Sequence, residues 1–228
     1  MEIFYLGHGC IQVNTLGKTL LFDPFITPNP LAKDIAIADL HPDYIILTHG
    51  HEDHVADAEA IAKNSGAKVI ANFEIVTWYG QKGIDGHPMN HGGQWPFDFG
   101  TLKMVNALHS SVLPDGTYGG NPAGFVLSNS EGTIYLAGDT AVHQDMKLIP
   151  EFFTLDLAIL PIGDNFTMGI AEAVLAAQFV QAGKVLGMHY DTFPYIEINK
   201  EEAIESFKSK GIELILLAIG SSTSLAQD

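Results

Sequence analysis

The chain has 228 residues, 46% hydrophobic and 17% charged, which is ample apolar side chain for a large core and argues against disorder. Its net charge of −16, with all eleven basic residues lysine, works against nucleic acid as a partner, since that affinity comes from Lys and Arg displacing phosphate counterions and there is no arginine to grip phosphate in bidentate fashion. One cysteine excludes an internal disulfide, no apolar run nears the roughly 20 residues of a membrane span, and "MEIFYLGHGC" is no secretory leader, so a cytoplasmic protein is expected.

In chain order, short apolar runs bounded by Gly, Pro, Asn or Asp read as strands: "EIFYLG", "IQVNT", "TLLFD", "YIILT", "KVIAN", "LKMVNALH", "GFVLS", "TIYLAGD", "LAILPIG", "KVLGMHY" and "ELILLAIG". Helical character falls at 54–64, 169–182 and 200–210, the last opened by Asn199 with Glu202 three residues on, a capping-box spacing. The stretch 79–98, rich in Gly, Pro and His, is expected to be a long loop. Strands and helices alternate as in an α/β chain, and one domain over 1–228 is the expectation. "GKTLLFD" with "DYIILTHG" is weakly echoed by "GTIYLAGD" with "DLAILPIG", which suggests two related lobes, about 1–98 and 99–228.

The chemistry is concentrated in "THGHEDH" at 48–54, directly after a strand. On extended backbone, residues two apart face the same side, so His49 and His51 can aim at one point, while Asp53 and His54 fall where a helix begins and can face a second. Imidazole and carboxylate are the usual ligands of zinc and similar divalent ions. The alternative is a polar loop in which Asp53 merely caps a helix.

This pattern resembles the His-x-His-x-Asp-His motif of the metallo-β-lactamase superfamily, and the resemblance spans nearly the whole chain. It implies further ligands at strand ends, met by His109, Asp139 and His189: His49, His51 and His109 on one metal, Asp53, His54 and His189 on the other, Asp139 between them. It also implies a four-layer αβ/βα sandwich, two mixed sheets face to face with helices outside. "LGHGCIQV", "PIGDNFTMG" and "MHYDTFP" further resemble the small bacterial metal-dependent hydrolases close to ascorbate 6-phosphate lactonase.

The activity implied is hydrolysis of a small ester, lactone or phosphoester by a hydroxide activated between two divalent ions, zinc foremost, with manganese and iron compatible with the same ligands. Asp53 would orient the nucleophile and carry a proton to the leaving group. His8, Asp164 and Tyr190 are candidates for substrate contact; His87 and His91 could line an entrance. The expected partner is a small molecule, with neither nucleic acid nor membrane, and a homo-oligomer is compatible. Competing readings are a phosphodiesterase or nuclease of the same superfamily, disfavoured by charge, a di-iron redox protein, for whose usual flavin domain there is no room, and a non-enzymatic metal-binding protein.

Overall fold

Period-two alternation gives most central strands two apolar faces. Leu20 and Phe22 join one buried cluster and Leu21 another, and Ile46 and Ile45 divide in the same way. A strand that is apolar on both faces needs a layer on each side, which dictates a multilayer stack. The computed structural model describes residues 1–225 and shows that stack.

The first sheet has the order β14-β1-β2-β3-β4-β5-β6, where β1 is Glu2–Gly7, β2 Cys10–Thr15, β3 Lys18–Phe22, β4 Tyr44–Ile46, β5 Lys68–Asn72, β6 Gly86–Met89 and β14 Ser222–Ser224. The second has the order β13-β12-β11-β10-β9-β8-β7, with β7 Gln94–Phe97, β8 Gly100–Asn106, β9 Ala123–Asn129, β10 Gly132–Leu136, β11 Leu157–Pro161, β12 Lys184–Met188 and β13 Glu213–Ile215. Both sheets follow one pairing pattern. Antiparallel pairs join β14 to β1, β1 to β2 and β2 to β3, and parallel pairs continue to β6. In the second sheet β7 to β10 are antiparallel and β10 to β13 parallel.

Ile3, Val13, Phe22, Met104, Phe125, Ile159 and Leu186 fill the space between the sheets. The outer face of the first sheet packs on Val55, Ala58, Ile61, Ile75 and Tyr79, and that of the second on Ala173, Ala176, Ala177 and Phe207. Those residues belong to α1 (Glu52–Val55), α2 (Ala58–Ser65), α3 (Phe73–Gly80), α4 (Ile170–Phe179) and α5 (Lys200–Lys208). The result is the expected αβ/βα sandwich. No helix among the described residues is long and apolar enough to cross a membrane.

Local departures from the sequence reading have identifiable causes. The helix expected over 54–64 breaks at Asp57, whose carboxylate accepts from the amides of Ile26 (2.6 Å) and Thr27 (2.8 Å) and is buried there, fixing the 24–27 loop under the helix. The segment 79–98 is not a plain loop: it carries β6 and β7, each at a sheet edge, where Pro88 and Pro96 are tolerated because an edge strand can spare an N–H. α3, unexpected in "FEIVTWYG", is started by Asn72, whose side chain accepts from the Ile75 amide at 2.9 Å. Asn199 caps α5 as the spacing predicted, accepting from Glu202 N at 3.1 Å.

Candidate metal centre

The segments that follow six strands deliver side chains to one edge of the two facing sheets. His8 follows β1, Asp23 follows β3, His49 and His51 lie between β4 and α1, and Asp53 and His54 stand in the first turn of α1. His109 and Asp139 come three residues after β8 and β10, and His189 directly follows β12. A ligand at a strand end is held by a rigid ladder yet opens to a cleft.

His49, His51 and His109 present one nitrogen each within 4.8 Å of one another, and Asp53, His54, His189 and His8 form a second such group. His49 Nε2 lies 3.0 Å from His51 Nδ1. Between the groups stands Asp139, its Oδ2 at 3.0 Å from His189 Nε2, 3.4 Å from His54 Nε2 and 3.7 Å from His109 Nε2. Tetrahedral ligands with bonds of about 2.0–2.1 Å are separated by about 3.3 Å, so these spacings match side chains that share an ion. The burial agrees. Among the described residues, His54 Nε2, Asp139 Oδ1 and both ring nitrogens of His189 are buried without a hydrogen-bond partner, an arrangement native proteins rarely leave uncompensated. The donor set therefore fits divalent cations.

Two hydrogen-bond chains fix how the rings face. Thr48 Oγ1 donates to Asp23 Oδ2 at 2.6 Å, and Thr48 N donates to Asp23 Oδ1 at 2.8 Å. With its proton committed, the Thr48 hydroxyl accepts from His49 Nδ1 at 3.0 Å, so the lone pair of His49 is on Nε2. Asp23 Oδ2 also accepts from His54 Nδ1 at 2.9 Å, again turning Nε2 inward. Asp23, given no role by the sequence reading beyond closing a strand, thus sets two imidazoles. Its only advance signal was its place opposite Asp139 in the weak repeat.

On the other side, His8 is fully buried, with Nε2 at 3.0 Å from Asp53 Oδ2 and Nδ1 at 3.0 Å from Thr192 Oγ1. Burial, reinforced by His189, pushes His8 down to about 4, so the ring is neutral near pH 7. Its one proton is then donated by Nε2 to Asp53, and Nδ1 accepts from the Thr192 hydroxyl.

Burial lowers His49, His51 and His109, His49 most strongly, which keeps them neutral. Burial also opposes charge on His54 and His189, but Asp139 and Asp53 outweigh it, holding His54 well above the ordinary imidazole value and His189 at about 9. Buried Asp139 and half-buried Asp53 are both held far below the ordinary carboxylate range by those same rings. The cluster thus demands positive charge beside Asp53 and Asp139, a demand divalent cations meet while using the inward nitrogens as lone pairs.

The groups open into a cleft of about 520 Å³ that His51, Asp53, His109, Asp139 and His189 help to line. The other candidates lie elsewhere. Asp164 is exposed and bonds its own loop, accepting from Asn165 N at 2.7 Å. Tyr190 is buried, stacked on Tyr5 at 6.1 Å, and does not line the cleft. His87 packs against Trp95 and Phe97, and His91 bonds the Pro122 carbonyl at 2.7 Å; neither reaches the cleft. Phe193, which the stretch "YDTFP" at 190–194 offers as a pocket-closing ring beside Tyr190, does line the cleft; the residues missed by sequence are Asp23, Thr48, Thr192 and the rim residues Phe166 and Tyr195.

Residues 18–190 match the family model described as "Beta-lactamase superfamily domain". A UPF0173 metal-dependent hydrolase of Flavobacterium johnsoniae is 56% identical over 225 residues, covering 99% of this chain and 100% of the relative, and one from Christiangramia forsetii is 54% identical over 226. Igni18, a metallo hydrolase of Ignicoccus hospitalis, superposes with a TM-score of 0.91 at 32% identity over 100% of this chain and 99% of its own. The metallo-β-lactamase fold protein YhfI of Bacillus subtilis, at 16% identity and a TM-score of 0.75 over 97% of this chain and 98% of its own, shares the fold. With its fold, its buried His and Asp clusters and this identity over its full length, the chain belongs to the UPF0173 metal-dependent hydrolases of the metallo-β-lactamase superfamily.

Proposed function

We propose that the chain binds two divalent ions, of which zinc suits the imidazole and carboxylate set best, and hydrolyses a small ester, lactone or phosphoester. The observation that carries this reading is the position of Asp139, whose Oδ2 reaches His54 and His189 on one side and His109 on the other. His49, His51 and His109 would hold the first ion, Asp53, His54 and His189 the second, and Asp139 both. Such a pair supplies a water acidified to near neutrality and polarisation of the bond under attack.

The chain's own residues do the rest. Asp23 and Thr48 hold His49 and His54 in the ligating tautomer. Asp53, 30% exposed in the cleft and fixed at Oδ2 by His8, orients the nucleophile and carries its proton towards the leaving group. The resemblance to the lactonase-like branch supports a cyclic ester among the substrates. The acidic chain and the absence of arginine favour a small molecule over nucleic acid.

Elemental analysis of protein prepared without chelator is expected to give about two divalent ions per chain. His51→Ala and Asp53→Ala are expected to abolish hydrolysis with the circular dichroism spectrum intact. Failure to bind metal even after reconstitution, or full turnover in either variant, would refute the assignment.

A further inference from the structure

The metals define a reaction type; the walls of the cleft define what reaches them. Three aromatic rings form its outer rim, Phe166 from the loop after β11 and Phe193 and Tyr195 from the loop after β12. Phe166 is 50% exposed and Tyr195 74% exposed, and their rings meet edge to face with centroids 6.3 Å apart. Both are held out by built turns. Asp164 and Asn165 are consecutive left-handed residues (φ 64° and 53°), pinned by the Asp164 carboxylate on Asn165 N and by Asp164 N on Met168 O at 3.0 Å. On the other loop Asp191 (φ 62°) donates its amide to Ile196 O at 2.8 Å and accepts at Oδ1 from Ile198 N at 3.1 Å. Non-glycine residues enter the left-handed region at a cost, and here that cost fixes two rings in solvent. Fixed, exposed aromatic surface beside a reactive cleft is binding surface.

The charges of the cleft point the same way. Apart from its histidines, the lining's charged side chains are Asp53 and Asp139, both acidic, while none of the eleven lysines lines it. Lys200, in the helix after the Tyr195 loop, is tied to Asp191 at 2.9 Å. A substrate bearing a phosphate or carboxylate remote from the scissile bond would find no cation there, and would lose water against aromatic rings.

We infer that the substrates are uncharged carboxylic esters, open or cyclic, whose apolar aryl or short alkyl group packs on the wall of Phe166, Phe193 and Tyr195, and that esters bearing a phosphate or carboxylate remote from the scissile bond are poor substrates. This rests on the hydrolytic reading above and narrows it. In the reaction, the oxygen of water bonds to the acyl carbon, the bond from that carbon to the leaving oxygen breaks, and the leaving oxygen takes a proton from water, giving acid and alcohol. The likeness to a lactonase of a phosphorylated sugar acid therefore extends to the bond cleaved and not to the phosphate.

The test uses metal-loaded protein with 4-nitrophenyl butyrate, 4-nitrophenyl acetate, mono(4-nitrophenyl) succinate and bis(4-nitrophenyl) phosphate, which share a chromophore. The expected kcat/KM for butyrate exceeds that for the succinate, whose free carboxylate lies remote from the scissile bond, by at least about tenfold. Phe166→Ala and Tyr195→Ala, changes at exposed rings outside the core, each raise KM for butyrate about tenfold while kcat moves less than threefold, with a smaller loss for acetate. As a readout independent of turnover, 4-phenylbutan-2-one, an uncharged ketone, binds at least fivefold more weakly to Phe166→Ala by calorimetry. Ester hydrolysis with unchanged KM in both variants and unchanged ketone affinity in Phe166→Ala, or the succinate turned over as well as the butyrate, or turnover of the phosphodiester alone, overturns the inference alone. No turnover of any of the four substrates by protein shown to hold metal overturns the hydrolytic reading beneath it.

Discussion

Replacing Asp23 with Asn tests whether the metal site is set from behind. The substitution is isosteric, but Asp23 is buried and accepts three hydrogen bonds, from Thr48 N, Thr48 Oγ1 and His54 Nδ1. An amide can keep its oxygen on Thr48 N only by placing its NH₂ where Oδ2 stood, against two donors. The Thr48 hydroxyl must then turn, accept from the new amide and donate to His49 Nδ1, which moves the His49 proton to Nε2. His54 must likewise give up its Nδ1 proton or lose its partner. Both inward nitrogens become donors, the wrong state for a ligand. Loss of such an orienting partner costs about 10–100-fold in metal affinity, and because Asp23 serves two rings the expected loss is about 100-fold, or about 2.8 kcal/mol. One unsatisfied buried donor adds a stability loss of about 1–3 kcal/mol, a fall in melting temperature of a few degrees in a chain of this size. The assay is competition for zinc against a chromophoric chelator, with circular dichroism confirming the fold. An affinity within threefold of the parent chain would show that Asp23 does not set these rings.

Two further perturbations separate packing from charge. At Gly9, a Cβ would lie 2.9 Å from His54 Cε1, so Gly9→Ala is expected to displace that ring, lowering zinc affinity at least tenfold by the same competition while the secondary structure is retained. His143, in the wall of a separate hollow of about 390 Å³ beside β8, is lowered by burial, a shift only partly offset by Asp145 and the Asn106 backbone carbonyl. The unfolded chain therefore takes up a proton that the folded chain refuses, so stability falls as pH drops below about 6.5 towards the lowered folded value. His143→Gln should remove that component, flattening the difference in urea midpoint between pH 7.5 and 5.5; an unchanged difference would assign the pH dependence to other groups.

How much of this was legible in sequence depends on where each residue finds its partners. Central strands such as β4, β5 and β11 are buried on both faces and announce themselves as apolar runs. β6 and β7 lie at sheet edges, carry Pro88 and Pro96, and exist because β5 and β8 offer them a ladder, which no local pattern reveals. α3 is poor in helix formers and depends on Asn72, a buried side chain that also donates to Gly119 O and Asn121 O, far along the chain. The same rule governs the candidate site. Four of the proposed ligands are contiguous and were visible as a motif, whereas Asp23 acts on a histidine 31 residues away and Thr192 on one 184 residues away. Hydrogen bonds of that span leave no periodicity to read.

The repeated pairing pattern explains why the loop after β4 carries proposed ligands while its counterpart after β11 carries the rim residue Phe166. The loops after β4 and β11 occupy matching places in their sheets, each following a strand parallel to one that ends in a buried aspartate, Asp23 or Asp139. The first turns inward: His51 keeps an extended backbone (φ −63°, ψ 147°) and α1 begins at once, so helical spacing delivers Asp53 and His54 to the candidate metal centre. The second spends two left-handed residues, Asp164 and Asn165, before α4 and so points outward, carrying Phe166 to the cleft mouth. Substitutions in the second loop should therefore change KM among esters with little effect on metal content, while substitutions in the first should do the reverse. On the proposed reading, Phe166 and the ligands His49, His51, Asp53 and His54 thus stand on separate loops that can vary independently, whereas the loop after β12 joins His189 to the rim residues Phe193 and Tyr195.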